Sequence, residues 1–272
     1  MSSPAASHRP RPRVADPVLL AGLDALRRRS AELEHGGDGV AAYVVQFLGN
    51  RPFPSGLREL LLTKGSAVVP PLLDLFGDRW LLRASTPGEG WAPIHAFDLL
   101  VDLGAREVIE PAIELLRELE WEDLLLERIM SRLPSFGTQV IEPALRAYER
   151  LVLPDALAAL AEILASQGTR DPRILDLLLS RLRDGQVGAS EDLATYGDPA
   201  AIPHLCAEFN EIALNDLDNR PYLIGLGEAI GRLGRTLSAP QRRKLDAALA
   251  TAVPPRVARR PTSTTGHRPS SC

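Results

Sequence analysis

Six glycines recur along the 272-residue chain at 65, 104, 137, 168, 197 and 234, spaced 39, 33, 31, 29 and 37 residues apart. A proline follows each of them within 4 to 7 residues, at Pro70, Pro111, Pro143, Pro172, Pro203 and Pro240. Repeats of 20 to 50 residues are the mark of stacked supersecondary units that bury their apolar faces against one another. The pairing has a mechanism. Glycine stops a helix by adopting the left-handed conformation just past its C-terminus. Proline is accepted in the next helix's first turn, where its missing N–H has no intrahelical partner. The period therefore predicts helix-turn-helix joints and an all-α chain.

The apolar residues between the joints agree. Behind each of the first five glycines runs a stripe at i, i+3, i+4, i+7, the spacing of one helical face. The stripes are Val69, Leu72, Leu73, Phe76; Ile109, Ala112, Ile113, Leu116; Ile141, Ala144, Leu145, Tyr148; and Ile202, Leu205, Cys206, Phe209. In the fourth unit Leu175, Leu178, Leu179 and Leu182 fit best, with Ile174 and Leu177 blurring the register. First helices are expected at 55–64, 91–103, 123–133, 155–166, 188–196 and 221–233. Gln241, Arg242, Arg243 and Lys244 make the last outer helix polar, as expected of a terminal cap that faces water. Helices from Asp16-Pro17 to about 34 and over 40–48 read as the opposite cap. The Pro-, Ser-, Thr- and Arg-rich segments 1–13 and 254–272 read as disordered tails, leaving 14–253 as one domain.

Charge is informative once it is divided along the chain. Formal net charge is -4, from 31 basic and 35 acidic residues. Seven arginines lie in the two tails, which contain no Asp or Glu, so residues 14–253 hold 24 basic against 35 acidic groups, a net of -11. An acidic body argues against nucleic-acid binding, which requires a basic surface to displace counterions. Cys206 and Cys272 form neither a disulfide framework nor a metal spacing. The N-terminus lacks the apolar segment of a secretory signal, and no apolar run approaches the roughly 20 residues that span a bilayer. A cytoplasmic location with no membrane partner is expected. Lys64 and Lys244 are the only lysines, a bias toward arginine that points to a GC-rich bacterial genome.

The joint Gly197-Asp198-Pro199-Ala200-Ala201-Ile202-Pro203-His204-Leu205 resembles that of HEAT-like repeats, especially the short bacterial kind first named from phycobilin lyases. Val101-Asp102-Leu103-Gly104 through Ile109-Glu110-Pro111-Ala112-Ile113-Glu114-Leu115-Leu116 is similar. The resemblance covers about 55–250. It implies a right-handed α-α superhelix of about six helix pairs with N-terminal capping helices. It also implies a non-catalytic scaffold or adaptor that binds other proteins. The alternative it carries is a lyase-like chaperone or enzyme acting on tetrapyrrole-bearing proteins. HEAT-like diiron enzymes use His-Glu dipeptides, and none of His8, His35, His95, His204 or His267 is followed by Glu. No metal, cofactor or catalytic residue is assigned.

In a stack of this kind the second helices line the concave side, and exposed positions follow the core stripe by one and five residues. Those positions hold Asp74, Glu110, Glu114, Glu142, Arg146 and Asp176. Stacking brings them into a mostly acidic track suited to a basic or amphipathic protein segment; a plain solvated face is the other reading. Glu110 and Glu114 repel at i, i+4, whereas Glu142 and Arg146 are expected to pair. Trp80 and Trp91 beside the 78–90 insertion, and Trp121, read as covers of repeat junctions or as partner contacts. Cys206 falls on a core position, as an inert buried thiol. Gly225, Gly227 and Gly231 read as close helix packing rather than a nucleotide loop.

Overall fold

A computed structural model describes residues 53, 56–83, 89–119, 123–214 and 219–252. Both expected tails, the expected N-terminal capping helices and Trp121 lie outside the described residues. Every regular element among the described residues is helical. The helices are α1 Leu57–Lys64, α2 Val69–Phe76, α3 Trp91–Asp102, α4 Ile109–Leu115, α5 Leu124–Arg132, α6 Ile141–Arg150, α7 Pro154–Ala165, α8 Pro172–Arg183, α9 Ala189–Tyr196, α10 Ile202–Glu211, α11 Asn219–Arg232 and α12 Ala239–Ala252. No helix among these residues is long and apolar enough to cross a membrane.

All six periodic glycines have positive φ, between 59° and 87°. After α3, the amide of Gly104 donates to Val101 O and that of Ala105 to Leu100 O, each at 2.9 Å. This is the paired-bond glycine stop that satisfies the orphaned last carbonyls. Gly234 and Arg235 repeat it after α11, and so do Gly185 and Gln186 after α8. Gly65 and Gly137 differ: their φ of 59° and 60° with ψ of -133° and -138° lie outside the left-handed helical well. At Gly90 a side chain is excluded twice. Its φ is +86°, and a Cβ would lie 2.9 Å from the Leu82 carbonyl oxygen.

The helices fall into two compact units that divide within α8, after Leu178. In the first unit α1, α3, α5 and α7 pack in succession, α2 packs on α3, and α4 packs on α6. Its core holds Leu61, Leu72, Leu99, Leu100 and Ile129, all under 2% exposed, with Phe76 stacked on Phe97 at 5.4 Å. In the second unit α9, α10 and α12 each pack on α11. Phe209, Leu205, Leu223, Leu226 and Ile230 are fully buried there. Each such side chain contributes roughly 1.5–3 kcal/mol of hydrophobic stabilisation.

The expected stripes face inward with local departures. All four residues of the stripe that begins α4, Ile109 to Leu116, are buried, whereas Leu73, Leu145, Tyr148 and Ile202 are half-buried. In α8 the buried apolar residues are Ile174, Leu178 and Leu182, not Leu175 or Leu179. The register shifts because Arg181 is itself buried, at 4% exposure, by an ion pair with Asp192. The expected polar outer face of α12 is likewise divided. Arg242 and Arg243 are exposed, but Gln241 is 8% exposed and donates to Asn210 Oδ1 at 3.0 Å. Lys244 turns inward too, donating to the carbonyls of Phe209 and Asn210 at 2.7 and 3.0 Å, where it caps the end of α10. Gln241 also closes a capping box, its side-chain oxygen accepting from the Ser238 amide at 3.0 Å.

Of the α11 glycines, Gly227 serves close packing. A Cβ there would sit 3.1 and 3.2 Å from the Leu245 methyls and 3.5 Å from the Phe209 ring.

Candidate functional site

Glu110 and Glu142 are the second residues of α4 and α6, placed there by the joints that start each helix at an apolar residue. Both are exposed, as are Asp74 on α2, Glu114 on α4, Arg146 on α6 and Asp176 on α8. Arg146 crosses to α4 and donates to Glu110 at 2.9 Å. Glu142 accepts from Arg173 at the start of α8, at 2.6 Å. The expected pair within α6 is thus replaced by pairs between helices. A lateral partner a full repeat away lies closer to each head group than the residue one turn along.

Glu114 is bracketed by arginines as well, Arg117 at 3.1 Å and Arg150 at 3.6 Å. The acidic i, i+4 pair of α4 therefore faces the basic i, i+4 pair Arg146 and Arg150 of α6. The repulsion between Glu110 and Glu114 is offset across the helix boundary. The surface is consequently a ladder of alternating sign rather than a mostly acidic track. Arg117, Arg150 and Arg173 are the members that a stripe-plus-one, stripe-plus-five rule passes over. Arg173 was nonetheless findable: it is the second residue of α8, as Glu110 and Glu142 are of theirs.

Arg173 also donates to Asp171, from its guanidinium at 2.7 and 3.1 Å and from its backbone amide at 2.9 Å. The Arg173 hydrogen bond and then its charge hold the Glu142 carboxyl below the usual range. The Asp171 carboxyl is lowered chiefly by its hydrogen bond from the Arg173 side chain. The guanidinium is raised in turn, by Asp171 first and Glu142 second. These pairs are more than half exposed on the Glu142 and Arg173 sides, 59% and 54%. Exposed pairs of this kind contribute about 0–1 kcal/mol each.

A second charged ribbon runs over the odd-numbered helices of the first unit. Arg132 on α5 bridges Asp98 at 2.9 Å and Asp102 at 2.6 Å on α3. Asp102 also takes Arg58 of α1 at 2.8 Å, and Asp98 takes Arg128 at 3.3 Å. Burial opposes the Arg132 charge, and the hydrogen bonds it donates to Asp102 and Asp98 more than restore it, leaving its pKa raised. Two i, i+4 pairs of opposite sign on neighbouring helices were the available sequence signal. Their partial burial, 14% exposure for Asp102, makes this a clamp between helices rather than a docking surface.

The remaining candidates are local. His95 is buried, with Phe53 edge-on at 4.9 Å and Trp91 tilted at 5.5 Å. Trp91 itself is half-buried beside a cavity of about 190 Å³ at the α3–α5 junction, lined also by Ile94 and Leu124. Trp80 is half-buried, its amide bonded to Asp78 Oδ1 at 3.0 Å. His204 is exposed. Cys206 is a buried free thiol. Among the described residues no group of three or more His, Cys, Asp or Glu is arranged to hold a metal ion.

Fold and surface together define an all-helical protein with a charge ladder across α4, α6 and α8. No protein-family model matches the chain, and no curated protein or solved structure is significantly similar to it.

Proposed function

We propose that this chain is a HEAT-like α-solenoid, a right-handed superhelix of about six helix pairs, and that it works as a non-catalytic scaffold for another protein. The fold reading is supported by glycine stops of positive φ at the repeat period, and by odd-numbered helices that pack in succession in the first unit. The functional reading rests on one observation: Glu110–Arg146 and Glu142–Arg173 join successive even-numbered helices while every one of these side chains stays more than half exposed. Such pairs hold a surface in register yet exchange partners readily, because each contributes so little on its own. An incoming chain's charges replace them at small cost.

The ladder sets the ligand chemistry. Glu110, Glu114 and Glu142 pair with four arginines, 117, 146, 150 and 173, and with the exposed Asp74 and Asp176 added the balance is only slightly acidic. An amphipathic segment with interspersed basic residues fits it better than a polybasic one. Panning a displayed peptide library on the immobilised protein tests this. Enriched sequences are expected to carry Lys or Arg at helical spacing. They should be lost from the triple variant Glu110→Lys, Glu114→Lys, Glu142→Lys while its helical circular dichroism and melting are kept. Equal enrichment on both proteins would sink the reading.

A further inference from the structure

Gly225 lies inside α11, where glycine is less favourable than alanine by about 1 kcal/mol. Its backbone does not require it, since it is not among the positive-φ glycines. Packing does not require it either: a Cβ would meet only the Ser190 hydroxyl, at 3.5 Å, an ordinary contact. Gly225 instead lines a groove of about 420 Å³ between the start of α9 and α11.

The groove carries three kinds of chemistry. Its wall holds Ser190, a residue only 7% exposed whose hydroxyl has no hydrogen-bond partner among the described residues. Beside it α9 begins without a side-chain cap, on Gly188. The first helical bond there is from Asp192 to Gly188 O, which leaves the Ser190 and Glu191 amides as open donors. A second wall is apolar, with Val187 at 89% exposure and the half-buried Tyr222 ring. At the rim, Glu191 is taken by Arg232 at 3.0 Å, but the exposed Glu228 has no ion pair among the described residues.

Donors at depth call for an acceptor, and the rim decides which kind. A carboxylate or phosphate would face Glu191 and Glu228, whereas a backbone carbonyl brings no charge. We infer that this groove binds an extended peptide segment of a partner protein: a carbonyl on Ser190 and the α9 amides, an apolar side chain over Gly225 against Val187 and Tyr222, and a basic side chain on Glu228. The site is separate from the ladder and extends the scaffold reading to a short linear motif of an apolar residue followed by a basic one.

The test is a titration of the ¹⁵N-labelled full chain with the capped peptide acetyl-Gly-Leu-Gly-Arg-Gly-amide. Saturable shifts are expected at Gly188, Ser190, Glu191 and Gly225. Replacing Leu by Gly or Arg by Glu in the peptide should weaken binding about tenfold or more, the effect of about 1.4 kcal/mol. Gly225→Leu fills the groove and removes a helix-interior glycine, so it should abolish the shifts while holding or raising Tm. Glu228→Arg, a surface change, should weaken binding with no effect on folding. The triple ladder variant Glu110→Lys, Glu114→Lys, Glu142→Lys should bind this peptide as the parent does, so failure of the ladder reading leaves this result standing. Undiminished binding by Gly225→Leu, equal binding of the Arg-to-Glu peptide, or shifts lying elsewhere would each overturn the inference.

Discussion

Arg181 and Asp192 form an ion pair at 3.7 Å with side chains only 5% and 9% exposed. It ties the last turn of α8 to the first turn of α9. The separation is too long for a hydrogen bond, and Arg181 Nε has no such partner, although Nη2 donates to Val187 O at 3.3 Å. Each charge also sits at the helix end its sign favours, the cation near a C-terminus and the anion near an N-terminus. Asp192→Asn strands a buried guanidinium, which typically costs about 3–5 kcal/mol. The double change Arg181→Met, Asp192→Leu removes both charges and is expected to be milder. Urea unfolding of the three proteins decides it; a loss below about 1 kcal/mol for Asp192→Asn would exclude a buried charge as the cause.

Gly137 and Gly197 separate two reasons for glycine at a joint. Gly197 has φ 73° and ψ 19°, within the left-handed helical well that asparagine also visits. Gly137, at φ 60° and ψ -138°, lies where only glycine is comfortable. A Cβ on Gly137 would have no neighbour within 4 Å, so any penalty there comes from the backbone alone. Gly137→Ala and Gly137→Asn should each lose about 1–3 kcal/mol, while Gly197→Asn should lose much less. Thermal melts check the ranking, and equal losses for the two asparagine variants would refute it.

These residues also mark the limit of what was legible beforehand. Helix ends were readable because glycine and proline act locally: the first helices expected at 91–103 and 155–166 lie at 91–102 and 154–165. Partner choice was not readable. Whether Arg146 pairs with Glu142 in its own helix or with Glu110 across a groove depends on the lateral offset of α4 and α6, which no single-helix pattern contains. Burial of charge was hidden for the same reason. Gln241 and Lys244 read as an outer polar face and Arg181 carries a full charge, yet neighbouring helices supply Asp192 to the buried Arg181, Asn210 to the buried Gln241 and two carbonyls to the half-buried Lys244.

Acid should loosen the start of α8 before it unfolds the protein. Arg173 lowers the pKa of both Glu142 and Asp171 relative to the unfolded chain. A carboxyl depressed in the folded state contributes stability above its unfolded pKa, about 4 for these residue types. That contribution fades as pH falls from there through the folded values. Carboxyl ¹³C titration should therefore place both midpoints below ordinary values in the native protein, and Arg173→Met should return both toward them. Unmoved midpoints in the variant would show that another group depresses them.

Tyr222 gives the opposite dependence at the alkaline end. Burial pushes its hydroxyl up to about 12, aided by the Glu208 charge and a long hydrogen bond to Glu208 at 3.4 Å. A raised phenol contributes stability that is complete below its unfolded pKa of about 10 and is lost as pH rises from there toward 12. Absorbance at about 295 nm follows phenolate formation, and one of the four tyrosines should ionise late. Glu208→Gln should lower that late midpoint without bringing it to 10, because burial is the larger cause and survives the change. Occupancy of the α9–α11 groove adds a second control: a peptide lying against the Tyr222 ring deepens its burial and should delay ionisation further. A late tyrosine whose midpoint ignores both Glu208→Gln and the peptide is not Tyr222.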